Sequence, residues 1–70
     1  MTQTLVIQVN GEQMSVPASG TLQELMDHLG VPRAGTAVEV DGQIVSADQL
    51  ARTPLREGLA IEIVRMVGGG

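Results

Sequence analysis

The chain has no cysteine, no phenylalanine, tyrosine or tryptophan, and no lysine; its four basic residues are all arginine. Without cysteine there is no disulfide framework, no thiolate metal site and no cysteine nucleophile. A single histidine, His28, is too few for a histidine-based zinc cluster, so no metal site is expected. The missing aromatics leave no platform on which single-stranded nucleic acid could stack, and a formal net charge of −4 opposes binding to a phosphate backbone. The missing lysines leave no side-chain amine for acylation or Schiff-base chemistry, and no point at which lysine-linked chains of this protein could grow. Long apolar runs are also absent. The opening MTQTLVIQV has neither the basic region nor the apolar length of a signal peptide, and no stretch approaches a membrane span. The expectation is a cytoplasmic domain with no nucleic-acid or membrane partner.

What is present is a compact grammar of turns. Seventy residues make one small domain, which buries only about 60% of the surface that its unfolded chain exposes. Its core has to come from Leu, Ile, Val, Met and Ala. Leu5, Ile7 and Val9 alternate with Val6 and Gln8, the period-two pattern of a half-buried strand. Asn10-Gly11 follows, the dipeptide of a type I′ hairpin turn, and Met14 and Val16 make the return strand up to Pro17. Thr21 and Glu24 have capping-box spacing, and Leu22, Leu25, Met26 and Leu29 form one apolar stripe of a helix stopped by Gly30 and Pro32. The segment TAVEVDGQIV repeats the hairpin pattern around Asp41-Gly42. Ser46 to Leu55 reads as a connection holding one helical turn that starts near Ser46. Glu57-Gly58 feeds a last strand from Leu59 to about Val67, with Ile61 and Ile63 alternating against Glu62, Val64 and Met66.

The order is ββαββ, a short turn or helix, then β. One helix has one apolar stripe and covers one face of a sheet, so the expected fold is a two-layer α+β domain with a mixed sheet grasping the helix. Residues 1–67 would form this domain, and Gly68, Gly69 and Gly70 a flexible tail.

At this point the chain resembles the sulfur-carrier proteins of thiamine biosynthesis, small ubiquitin-like β-grasp proteins that end in Gly-Gly. The resemblance runs over nearly the full length, through the Asn10-Gly11 hairpin, TLQELMDHLG, AVEVDGQIV, REGLAIEIV and the final VGGG. Two departures stand out: the turn before the last strand reads EGL instead of the family's Asp-Gly-Asp-like sequence, and Leu50 stands where a tryptophan is often found. The resemblance implies a protein cosubstrate rather than an enzyme, with no bound cofactor. The C-terminal carboxylate of Gly70 would be adenylated with ATP by a partner of the ubiquitin-activating type. A persulfide enzyme or sulfide would then convert it to a thiocarboxylate, and thiazole synthase would receive the sulfur. Glycine suits such a tail, because residues without Cβ thread a narrow channel, and three extended residues reach roughly 10 Å. A chain without cysteine has no thiol on which to hold sulfur, which leaves the carboxyl end.

Strand parity adds a candidate docking surface. If Ile61 and Ile63 face the helix, Glu62, Val64 and Met66 face outward, and Val6 has the outward parity on the first strand. Beside the last strand it would join Val64 and Met66 in an exposed apolar patch at the base of the tail, with Arg65 and Val67 completing the partner-binding stretch. Other readings stay open: a carrier serving molybdopterin, cysteine or another metabolite, a ubiquitin-like modifier joined through Gly70 to lysines of other proteins, or a plain binding module whose terminal glycines are an ordinary loose end. His28 and the eight acidic residues, which lack metal-loop spacing, read as solvated surface, turns and caps.

Overall fold

The computed structural model of the chain describes residues 3–66. Strands β1 (Thr4–Val9) and β2 (Glu12–Pro17) form the first hairpin, and helix α1 (Leu22–Leu29) follows. Strands β3 (Thr36–Val40) and β4 (Gln43–Val45) form the second hairpin, a 3-10 helix spans Ala47–Arg52, and β5 (Ala60–Arg65) ends the described chain. The fold is the expected α+β arrangement, with one sheet in the order β2-β1-β5-β3-β4. Strand β5 lies in the middle, parallel to β1 and antiparallel to β3.

Local chemistry accounts for the element ends. Asn10 and Gly11 have φ of 51° and 83°, and Asp41 and Gly42 have 51° and 86°. Positive φ at both central residues turns the chain with the twist of the flanking strands. Thr21 caps α1: its hydroxyl accepts from the Glu24 amide, and the Glu24 carboxylate accepts from the Thr21 amide at 3.0 Å. Gly30, at φ 72°, closes the helix in the left-handed conformation.

One face of the sheet buries Ile7, Val38 and Ile61 against Leu22, Leu25 and Met26 of the helix stripe. Each fully buried aliphatic side chain contributes about 1.5–3 kcal/mol by leaving water. The connection is more ordered than one turn. Its 3-10 helix buries Leu50, Leu55 follows into the core, and backbone bonds from Leu22 to Thr53 and from Leu55 to Gly20 tie it to the start of α1. All helical cover lies on this side of the sheet, so the opposite face meets solvent.

The last strand is shorter than its apolar pattern, beginning at Ala60 rather than Leu59, which is buried just before it. Its expected end at Val67 lies outside the described residues. No helix among the described residues is long and apolar enough to cross a membrane.

Candidate functional site

Strand β5 is the last element of the described residues, and its neighbours hold it in two unequal halves. The first half pairs with β1, through Gln8 opposite Ala60 and Val9 opposite Ile61. The second half pairs with β3, through five registered pairs from Val40–Ile61 to Thr36–Arg65. Where each neighbour turns away, a side chain continues the ladder. The Asn10 Oδ1 accepts from the Ile63 amide at 2.7 Å, and its Nδ2 donates to the Ile63 carbonyl at 3.3 Å. Asp41 Oδ1 accepts from the Ala60 amide at 3.2 Å. The Met66 amide donates to the Gly35 carbonyl at 2.8 Å, so the strand is still held at the last described residue.

The register decides which candidate residues meet. Val64 lies opposite Ala37, and Ile44 lies opposite Glu39, which in turn faces Glu62. All five share the solvent face, because Val38 and Ile61 on alternate positions are buried. Val64 is 49% exposed, Met66 61% and Ile44 72%. With Ala37 between them, they make an apolar corner over the end of β5.

Val6 is not part of this corner, which corrects the expected patch. It is outward-facing and 38% exposed, but the Gly58 amide donates to its carbonyl at 2.8 Å, which puts Val6 level with the turn before β5. Val6 is two residues before the Gln8–Ala60 pair and Val64 four residues beyond it, about 20 Å apart along the strands. Adjacency of strands is legible from the fold class, whereas the parallel register is not. Arg65 is exposed, but it lies opposite Thr36 and carries the parity of Ile61 and Ile63, so it belongs to the helix side of the sheet. Val67 and Gly68, Gly69 and Gly70 lie outside the described residues.

Ile44 was missed as a surface residue by sequence reasoning. In a three-residue strand, Gln43, Ile44 and Val45 give no clear alternation, and only the pairing with β3 turns Ile44 outward. His28 is exposed on the last turn of α1 and lines a shallow cleft with Ser15, Ser19 and Glu24, but Glu24 is committed to the cap. Among the described residues no group of three metal-ligating side chains comes together. The Asp48 carboxyl is held below its ordinary value of 3.8, chiefly because the Ser46 hydroxyl donates to it at 2.7 Å. It lies far along the chain from β5, at the start of the 3-10 helix, and titrates as part of that turn.

Comparison with known proteins sets this geometry in context. The ThiS family model matches residues 7–70. The chain is 31% identical over 61 residues to the sulfur carrier protein ThiS of Escherichia coli, spanning 92% of that protein. It is 37% identical over 62 residues to a thiazole synthase of Paramagnetospirillum magneticum, of which it spans only 19%. The crystal structure of the thiamine biosynthesis protein ThiS from Geobacter metallireducens superposes with a TM-score of 0.81 at 29% identity, covering 94% of this chain and all of that one. With its β-grasp sheet, its single capped helix and a family match over almost its whole length, the chain belongs to the ThiS family of small sulfur-carrier proteins.

Proposed function

We propose that this chain is a sulfur carrier for thiazole formation in thiamine biosynthesis and that the carboxylate of Gly70 is its working group. The observation that carries the reading is the family match through residue 70, together with a named sulfur carrier spanned over 92% of its length. The occurrence of a similar segment within a chain named thiazole synthase supports thiazole synthase as the acceptor.

The chemistry follows from the carboxylate. It is a poor electrophile, because its charge repels nucleophiles and oxide is a bad leaving group. Attack of its oxygen on the α-phosphorus of ATP, in a partner enzyme of the ubiquitin-activating type, expels pyrophosphate and gives an acyl-adenylate. Sulfide then attacks the carbonyl carbon, AMP leaves with the C–O bonding pair, and loss of a proton gives the thiocarboxylate. A persulfide donor gives an acyl disulfide instead, which a second thiol cleaves to the same product. The carrier supplies no catalytic side chain and needs no cofactor of its own; ATP is consumed by the partner. Its contribution is a rigid base for the tail, with β5 held on both edges by backbone and by Asn10 and Asp41. The apolar corner of Val64, Met66 and Ile44 offers the docking surface.

The test is intact mass. The protein is incubated with its host's soluble cytoplasmic extract, ATP and sulfide, beside a version ending at Gly69. The expected result is a mass gain equal to one oxygen replaced by sulfur, seen only with Gly70 present. Conjugates on lysines of other proteins would move the reading to a protein modifier, and no change of either kind would leave the glycines without a role.

A further inference from the structure

The chain carries four cations, all arginine, and the fold places them in two pairs. Arg65 is the last residue of β5, and Arg33 stands at the same end of the sheet. The Thr36 amide donates to the Arg33 carbonyl, and Thr36 lies opposite Arg65. Arg52 and Arg56 belong to the other end. Between them, Thr53 and Leu55 are bonded to Leu22 and Gly20, and the Gly20 amide donates to Pro17, which pairs with Thr4. Gly70 is five residues beyond Arg65, so its carboxyl group lies within about 18 Å of the Arg65 backbone by any path. The surroundings of Arg65 are poor in nucleophiles. Cysteine is absent from the chain, the Thr36 hydroxyl is buried, and His28 lines a cleft with Ser15 and Pro17 of β2, two strands from β5. The parallel pairing also sends the start of β1 away. Thr4 precedes the Gln8–Ala60 pair by four residues and Arg65 follows it by five, about 30 Å apart along the strands.

We infer that this end of the molecule is built to be inert toward its own activated carboxyl group, and that Arg33 and Arg65 are specificity-determining residues for that reason. The inference rests on the proposed activation of Gly70. An acyl-adenylate acylates amines as readily as it accepts sulfur. A lysine amine attacks the acyl carbon, AMP leaves with the C–O bonding pair, and the nitrogen loses a proton to leave an amide that sulfide does not displace. About 0.4% of an ordinary lysine is free amine at pH 8. A guanidinium stays protonated there and has no lone pair to offer. Arginine therefore supplies positive charge at the base of the tail without supplying a competitor for sulfur.

The test separates self-inertness from enzymatic activation. The full chain is prepared as a Gly70 thioester of mercaptoethanesulfonate, which stands in for the acyl-adenylate, and is kept dilute at about pH 8. Arg33→Lys/Arg65→Lys is compared with the parent and with Arg52→Lys/Arg56→Lys, which makes the same change at the other end. Expected is loss of the thioester about tenfold faster in the first variant, to an internal amide whose mass is lower by the thiol with no water added. The parent and the second variant should lose it by hydrolysis alone, and all three should share one Tm within a few degrees. Equal rates for the first variant and the parent would overturn the inference. Equal amide formation in both variants would also overturn it, because position would then not matter. The unmodified parent, given its host's adenylating enzyme and ATP, is assayed in parallel for pyrophosphate release. Absence of release defeats the proposed activation, while the thioester rates decide self-inertness in either case.

Discussion

Asn10 does two jobs with one side chain. Its φ of 51° starts the hairpin turn, and its amide group bonds Ile63 in both directions, as the next residue of β1 would have done. The turn role is written in the Asn-Gly dipeptide. The clamp is not, because Ile63 is 53 residues away and meets Asn10 only through the parallel register. The two roles separate by substitution. Asn10→Gly keeps the left-handed turn and loses both bonds, which should cost about 1–2 kcal/mol and lower Tm by about 4–8 °C per kcal/mol in a domain of this size. Asn10→Ala adds the strain of positive φ and should cost about 1 kcal/mol more. In thermal unfolding, equal losses in the two variants would show that the positive φ adds no strain, and an unchanged Tm for Asn10→Gly would show that the amide bonds contribute nothing. Asp48 gives a pH prediction at the same scale. Its folded pKa lies below the unfolded value, so its contribution is present above the unfolded pKa and is lost as pH falls through the folded one. In an NMR titration, Ser46→Ala should return Asp48 toward 3.8 and remove this part of the acid sensitivity.

At the scale of elements, helix α1 was legible in full. Thr21, Glu24, the stripe from Leu22 to Leu29 and Gly30 each act locally, so the sequence pattern and the folded helix agree at both ends. Thr21→Ala removes the acceptor for the Glu24 amide and should destabilise the protein by about 1 kcal/mol, read as a lower midpoint in urea at unchanged slope. Both hairpin turns were legible for the same reason. The connection between β4 and β5 was less so. A 3-10 helix of six residues has weak local signals, and its position is set by burial of Leu50 and by bonds to the start of α1. Leu50 enters the core as an aliphatic residue. Ile44 was missed at this scale, since three residues are too few to reveal a face.

At the scale of the whole molecule, β5 is the organising strand. It is central in the sheet, contributes Ile61 to the core, and gives its solvent face to the candidate docking surface. Ile61→Ala should cost about 2–5 kcal/mol, a large part of the stability of a 70-residue domain. Circular dichroism should show a fall in Tm of at least about 10 °C or outright unfolding. Val64→Ser lies on the same strand with the opposite parity and should leave Tm within a few degrees, while weakening partner binding. If the two variants behaved alike, the assignment of faces would be wrong.

Whatever depends on neighbours along the chain was legible in the residues alone. That includes the two left-handed turns, the capped helix and the alternation of the strands. It also includes the chemistry that the absence of cysteine, lysine and aromatics removes. One helix with one stripe made the two-layer architecture legible too, because a single amphipathic helix covers a single face of a sheet. Register emerged only with the folded sheet. The parallel pairing of β1 with β5 moved Val6 to the far end of the sheet, the antiparallel pairing of β4 with β3 turned Ile44 outward, and that of β3 with β5 set Glu39 against Glu62. Register is fixed by packing between residues distant in sequence, and a shift along the strand moves every side chain to new neighbours while leaving the local pattern unchanged.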